Sequence, residues 1–158
     1  MTTAFNHAFD GIACYETTHS TIVDCTARNN PKAGLSCDCD FRENIVANCF
    51  FINNGELGIF FRGCTNNLVT NCTMSGNGQD GVFIADGECL VFPNRQNLFA
   101  QNFYNCNQRF GFWQAGATSF DNIIEGGVFM GNVDGPIAEH PDAPLVRHHP
   151  NLLSGSCP

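Results

Sequence analysis

The stretch Asn44–Gly81, NIVANCFFINNGELGIFFRGCTNNLVTNCTMSGNGQDG, contains one motif written twice. The first copy begins at Asn44, passes through Cys49 and ends at Gly58. The second copy begins at Asn67 and ends at Gly81, 23 residues later at each matching position. A unit this short cannot bury its own apolar side, so successive units must stack on one another. The stretch therefore predicts a stacked repeat fold.

Two residue types mark this repeat along most of the chain. An opening glycine recurs at Gly11, Gly34, Gly58, Gly81, Gly111 and Gly135. An asparagine comes three or four residues before the glycine, at Asn30, Asn54, Asn77, Asn107 and Asn132. Asparagines in one slot of a stacked repeat are expected to form an internal ladder of hydrogen-bonded amides. The single long glycine step, from 81 to 111, places an insertion near Glu88–Arg95.

Short alternating segments separate these markers. Two rows are predicted to face inward after the glycine: Ile12, Leu35, Ile59, Val82 and Phe112, then Cys14, Cys37, Phe61, Ile84 and Gln114. A second strand begins at Ile45, Leu68, Leu98 and Ile123, and a third contributes Ala27, Phe51, Met74, Tyr104 and Phe129. The glycine spacing leaves no room for crossover helices. The pattern predicts an all-β parallel β-helix of about six coils over residues 1–135. Residues 136–158 are predicted to form an irregular tail over the last coil.

Composition excludes several classes of partner. The net charge is −8 and Lys32 is the single lysine, which argues against nucleic acid and against an anionic membrane. No apolar run approaches the 18 residues or so of a membrane-spanning helix. The N-terminal stretch lacks the basic head and apolar core of a signal peptide.

The ten cysteines follow the repeat. Cys25, Cys49 and Cys72 share one slot, and Cys14 and Cys37 share another. Same-slot residues of successive coils lie about 4.8 Å apart, which suits a stack of buried thiols better than disulfides. A Cys14–Cys37 bridge remains an alternative for an exported protein. No zinc-ligand pattern is present, so no metal site is predicted.

The runs Asn44–Ile59 and Asn67–Val82 resemble the repeat of right-handed parallel β-helix proteins, the pectate-lyase-like superfamily. The resemblance extends from about Gly11 to Gly135. It implies right-handed coils and a superfamily of polysaccharide lyases, hydrolases and epimerases, phage tailspikes, and structural or adhesive proteins. The catalytic motifs of polygalacturonases and the Asp-Pro-His-Asp pattern of alginate epimerases are absent. Function must therefore be argued from the site.

One outward row of the predicted coils is rich in aromatic residues: Ala13, Ser36, Phe60, Phe83, Trp113 and Ile137. A contiguous exposed stripe of this kind marks a ligand or partner surface. Sugar rings stack on such a surface, and a neighbouring subunit of a homo-oligomer, such as a trimer, would also cover it. A second outward apolar row is predicted at Val46, Val69, Phe99 and Ile124, and it favours burial between subunits.

The next outward row contains Tyr15, Asp38, Arg62, Ala85, Ala115 and Glu139, and Glu16, Asp40, Asp86 and Glu88 follow the strand ends. Carboxylates on neighbouring coils with an arginine between them could supply an acid and a base to a glycan. Asp38, Arg62 and Asp86 are the candidate catalytic set, and Tyr15, Phe60, Phe83 and Trp113 are the candidate sugar-binding set. No cofactor is predicted, although lyase chemistry would call for calcium. The alternative is a surface ion pair and ordinary turn residues.

Two functions remain open from the sequence. The first is a domain that binds or processes an extracellular polysaccharide, as a lyase, a hydrolase or an epimerase. The second is a structural or adhesive module without chemistry, whose aromatic stripe is a subunit interface. Both place the protein outside the cell or on a cell or virion surface.

Overall fold

The computed structural model describes residues 2–86, 93–148 and 152–157, and within them the chain forms 19 strands and no helix. The strands are β1 (Thr2–Phe5), β2 (Ile12–Tyr15), β3 (Thr21–Val23), β4 (Cys25–Arg28), β5 (Ala33–Arg42), β6 (Ile45–Ala47), β7 (Phe50–Ile52), β8 (Leu57–Thr65), β9 (Leu68–Thr70), β10 (Thr73–Ser75), β11 (Val82–Ile84), β12 (Leu98–Ala100), β13 (Phe103–Asn105), β14 (Phe110–Gln114), β15 (Ile123–Glu125), β16 (Val128–Met130), β17 (Gly135–Glu139), β18 (Val146–His148) and β19 (Leu152–Ser154). Most strands are only three to five residues long because a turn follows each of them.

These strands form three parallel sheets that wind into one solenoid. Sheet A contains β1, β4, β7, β10, β13, β16 and β19, sheet B contains β2, β5, β8, β11, β14 and β17, and sheet C contains β3, β6, β9, β12, β15 and β18. Each strand pairs with its copy in the next coil. In sheet B, for example, Phe83 lies between Phe60 and Trp113. The predicted parallel β-helix of about six coils, with three strands per coil, is confirmed.

The core consists of rows of apolar side chains, one row from each face that points inward. Sheet A contributes Ala27, Phe51, Met74, Tyr104 and Phe129, as predicted, and sheet B contributes Leu35, Ile59, Val82 and Phe112. Aromatic rings from neighbouring coils stack inside, with centroids 4.3 Å apart for Tyr104 and Phe129 and 4.8 Å apart for Phe99 and Phe112. Burying each such side chain stabilises the fold by about 1.5–3 kcal/mol.

The prediction of which residues face outward in sheet C is wrong. Val46, Val69, Phe99 and Ile124 were expected to face outward, but all four are fully buried. The outward positions are those of Ile45, Leu68, Leu98 and Ile123 instead. The cause is the asparagine before each strand, which is itself buried in the corner. Because side chains alternate from there, the next residue faces out and the one after it faces in.

Asparagine ladders fill two corners of each coil. The predicted ladder is confirmed: the side-chain amides of Asn30, Asn54, Asn77 and Asn107 each donate to the next asparagine oxygen, ending at Asn132, over 2.9–3.1 Å. A second ladder, which was not predicted, joins Asn44, Asn67, Asn97 and Asn122 over 2.8–3.2 Å. Each amide also bonds the turn backbone, so the buried polar groups of the corners are satisfied.

The cysteine slot occupies the third corner. Cys49 and Cys72 are buried with free thiols, as expected, while Cys25 is only partly buried. The backbone N–H of Cys49 donates to the Cys72 sulfur at 3.4 Å, and that of Cys72 donates to the Asn102 side chain at 2.8 Å. Cys14 and Cys37 also remain free. A disulfide that was not predicted joins Cys106 to Cys157.

The segment after Gly135 was expected to be an irregular tail. Its described residues contain β18, β19 and most of β17, which pair with β15, β16 and β14. Gly135 pairs with Phe110 and Ile137 pairs with Phe112, so Pro136 lies opposite Gly111 and occupies the slot in which earlier coils have glycine. The predicted insertion near Glu88 falls largely on residues outside the described part of the chain.

Candidate functional site

The outer face of sheet B carries the aromatic stripe, with one residue from each coil. This floor row consists of Ala13, Ser36, Phe60, Phe83, Trp113 and Ala138. The ring centroids of Phe60 and Phe83 lie 6.1 Å apart, and those of Phe83 and Trp113 lie 5.0 Å apart. The expected last member, Ile137, pairs with Phe112 and points inward instead, because Pro136 takes the glycine slot. The three rings nevertheless form one continuous half-buried surface.

A groove opens beside these rings because the first two coils have small residues in the floor row. Its volume is about 790 Å³ and its floor is formed by Ala13, Ser36, Phe60 and Phe83. Tyr15 and Phe9 also line the groove, and 60% of the surface of Tyr15 and 69% of the surface of Phe9 are exposed. Three of the four predicted sugar-binding residues, Tyr15, Phe60 and Phe83, therefore line one depression, and Trp113 continues its floor.

One edge of the floor is formed by the turns that enter sheet B. Successive backbone N–H groups there donate to the carbonyl of the preceding coil over 2.7–3.2 Å, which stacks Phe9, Lys32, Glu56, Gln79, Arg109 and Asp134 into a turn row. Lys32 and Glu56 form an ion pair within it. This row was not predicted, although five of its members stand two residues before an opening glycine and Asp134 stands two residues before Pro136, which takes the glycine slot of the last coil. Only their spacing marks them, since no residue type repeats.

The opposite edge is the strand-end row of Tyr15, Asp38, Arg62, Ala85, Ala115 and His140. Glu139, predicted for this row, pairs with Gln114 because of the same shift by one residue in the last coil. Arg62 binds both carboxylate oxygens of Asp38, with its Nε 2.8 Å from Oδ1. The Asp38 side chain is only 5% exposed, and Arg62 also lies over the Phe60 ring at 5.7 Å. The pair forms a rigid polar wall beside the aromatic floor.

Asp86, the third member of the predicted catalytic set, is hydrogen-bonded within a turn. Its Oδ1 accepts hydrogen bonds from the backbone N–H and the hydroxyl of Thr118, both at 3.1 Å. Partial burial raises the pKa of Asp86, but the hydrogen bonds from Thr118 and Ala117 outweigh it and lower the pKa overall. The structure thus brings Asp38 and Arg62 into contact and gives Asp86 a structural partner of its own.

A third charged group lies at the far end of the floor. The Arg109 guanidinium is 4.2 Å from the centre of the Trp113 ring. Its Nη1 is 3.8 Å from Oδ2 of Asp80, a fully buried residue whose Oδ1 accepts the Phe110 N–H at 3.0 Å. Burial raises the pKa of the Asp80 carboxyl, and Oδ2 has no hydrogen-bond partner.

The described residues contain no group of three or more His, Cys, Asp or Glu side chains that could hold a metal ion. They also include no helix of the length and apolarity needed to cross a membrane. The three rows on sheet B, which we call the trough, are therefore the candidate site: an aromatic floor between a turn row and a strand-end row.

Comparison with known proteins agrees with the geometry of the coils. A family model described as "Right handed beta helix region" matches residues 2–139. The chain belongs to this family. A search of curated protein sequences finds no match.

Among solved structures, this right-handed β-helix is similar to the periplasmic alginate epimerase AlgG, with a TM-score of 0.80 and 19% sequence identity. A double mutant of AlgG gives the same TM-score and identity. Each alignment covers 97% of this chain and 38% of the enzyme. At this identity the similarity shows the fold alone, and the chain spans little more than a third of the length of these enzymes.

Proposed function

We propose that the trough binds a polysaccharide and that the chain is a carbohydrate-binding part of a polysaccharide-processing protein. The observation that carries the proposal is the unbroken series of rings from Phe60 through Phe83 to Trp113. Sugar rings present flat C–H faces, which pack favourably on aromatic faces. The polar rows on both edges offer hydrogen-bond partners to the hydroxyl groups at the rim of such a sugar.

The similarity to alginate epimerases supports a polysaccharide as the ligand, because those proteins act on one and share these coils. The periplasmic location of AlgG supports a location outside the cytoplasm for this chain as well. The buried thiols are compatible with such a location because Cys37, Cys64 and Cys72 are shielded by the core.

We assign Asp38 and Arg62 to binding within this proposal. Arg62 engages both oxygens of Asp38, which favours a fixed wall over a base that must accept a proton from the ligand. The exposed part of this wall is the Arg62 guanidinium, whose N–H groups lie beside Phe60 and suit the oxygens of sugar hydroxyls.

The experiment compares binding of alginate, polygalacturonate and dextran by the wild type and by a Phe83→Ala, Trp113→Ala double variant, using titration calorimetry. We expect the double variant to lose at least about tenfold in affinity for the polymer that binds, which is about 1.4 kcal/mol. The matched control is Phe50→Ala with Phe103→Ala. These two rings are 49% and 45% exposed on the outer face of sheet A, away from the trough.

Light scattering on the same samples distinguishes the alternative function. If the Phe83→Ala, Trp113→Ala variant binds as the wild type does but dissociates from an oligomer to a monomer, the stripe is a subunit interface and the polysaccharide proposal fails. Equal losses in both double variants would also contradict a role specific to the trough.

A further inference from the structure

The cations along the trough differ in how their charge is compensated. Lys32 is paired with Glu56 in the turn row, and Arg62 is held by Asp38 in the strand-end row. These two pairs span the same two coils in opposite order, so each of the two cations is compensated by a carboxylate of a neighbouring coil. Arg109 is different. Among the described residues, no carboxylate is hydrogen-bonded to it, and its nearest carboxylate oxygen lies 3.8 Å away.

The position of Arg109 is nevertheless well defined. Its guanidinium lies over the Trp113 ring at 4.2 Å, which restricts it to one side of the floor. The buried Asp80 lies on its inner side, and Arg109 keeps 32% of its side chain exposed. Across the floor, the strand-end row has the uncharged Ala115 at this level, and on its own edge Arg109 is followed by Asp134, whose backbone N–H donates to the Arg109 carbonyl. An exposed, oriented guanidinium beside an aromatic face is thus available to a ligand.

We infer that Arg109, stacked on Trp113, is an anion-binding position of the trough that takes the carboxylate or sulfate group of an acidic sugar. The inference rests on the proposed polysaccharide function and narrows its ligand to an acidic polymer. A planar guanidinium binds such oxyanions through parallel N–H···O bonds. The groove over the first coils, in which both cations are paired, then accommodates the uncharged parts of the polymer beside Tyr15 and Phe60.

Electrostatics give the inference a second consequence. The chain carries a net charge of −8, which opposes the approach of any polyanion. A single local cation must therefore account for selectivity, and its contribution must fall as salt screens it. Because salt also screens the repulsion from the net charge of −8, the contribution of Arg109 is measured as the difference in affinity between the wild type and Arg109→Gln. This difference should narrow between about 0.05 and 0.5 M salt for an acidic polymer and should stay near zero for a neutral polymer of the same backbone.

The test uses four proteins and three polymers. The proteins are the wild type, Arg109→Gln, Arg109→Lys and Arg28→Gln, where Arg28 is the matched control because it lies over the Phe5 ring at 5.9 Å on sheet A. The polymers are alginate, carboxyl-reduced alginate and dextran sulfate. We expect Arg109→Gln to weaken binding of one acidic polymer at least tenfold and to leave the carboxyl-reduced polymer within twofold of the wild type. Arg109→Lys keeps the charge but loses the planar pair of donors, so its affinity should fall between those of the wild type and Arg109→Gln, and Arg28→Gln should retain all of the affinity.

The outcomes separate the possible ligands. A loss confined to alginate assigns a uronic acid, and a loss confined to dextran sulfate assigns a sulfated sugar. Equal losses for alginate and its carboxyl-reduced form, or no loss for either acidic polymer, overturn the role of Arg109. The proposed function fails separately if the Phe83→Ala, Trp113→Ala variant binds every polymer as the wild type does.

Discussion

The corner beneath the trough and the floor of the trough are both rows with one residue per coil, yet they are built differently. In the corner, every position from Asn30 to Asn132 is asparagine, and each side chain bonds the next. On the floor, the corresponding positions change from Ala13 through Phe83 to Trp113. The corner residues satisfy one another, so the same amide is needed at each level. The floor residues face outward, so packing within the fold does not require the same residue type at each level.

This difference predicts that substitutions in the two rows have separable effects. A change in a corner should lower the free energy of unfolding because it leaves buried polar groups without partners. A change on the floor should alter binding with a smaller effect on folding. The following predictions test that separation, beginning with the largest expected effect on stability.

Asn77→Leu should lower the free energy of unfolding by about 3–5 kcal/mol, because two or more buried groups each lose a partner worth about 1–3 kcal/mol. The Asn77 oxygen accepts both the backbone and the side-chain N–H of Asn54, and its amide donates to Asn107 and to the carbonyl of Phe51. Urea unfolding followed by circular dichroism measures the change.

Asn105→Leu is the matched control, because the side-chain oxygen of Asn105 is buried without a hydrogen-bond partner. Its replacement should cost less than about 0.5 kcal/mol. If Asn105→Leu destabilises the protein as much as Asn77→Leu does, the ladder is not the source of corner stability.

Cys157→Ser should lower the free energy of unfolding by about 2–4 kcal/mol, since the disulfide to Cys106 closes a loop with a sequence separation of 51 residues. This covalent link ties the segment after β19 to the turn before Asn107. Unfolding of the wild type with and without reductant provides the check. An unchanged midpoint after complete reduction of this disulfide would contradict the prediction.

Asp80→Asn should stabilise the protein at neutral pH, because burial raises the pKa of this carboxyl and disfavours its charged form. With a pKa raised on folding, the favourable contribution of Asp80 is complete below its unfolded-state pKa and is lost as pH rises through the folded-state pKa. The gain from the substitution should therefore shrink as the solution is made acidic. Thermal unfolding at several pH values measures it, and a gain that grows in acid would contradict this account.

The sequence was sufficient to predict the coils, but it was insufficient to predict the arrangement of side chains on the outer surface. Repeated asparagine and glycine are visible because their bonds and turns require one residue type, so they revealed the first ladder and the register of Phe60, Phe83 and Trp113. The predicted inward and outward positions of sheet C were wrong because the sequence analysis did not recognise that Asn44 is buried in its corner. The predicted outward residues of the last coil were wrong because Pro136 replaces the expected glycine. The turn row of Arg109 was missed because no residue type repeats along it.

The central claim is that a polysaccharide lies on the floor of the trough, and Trp113, the only tryptophan of the chain, reports on that floor directly. Its fluorescence should be measured during titration with alginate oligosaccharides, with acrylamide as a quencher at each step. The account predicts a saturable change in Trp113 emission and a lower quenching constant, with the same half-saturation as calorimetric binding. Calorimetric binding that leaves both the emission and the quenching of Trp113 unchanged would contradict it.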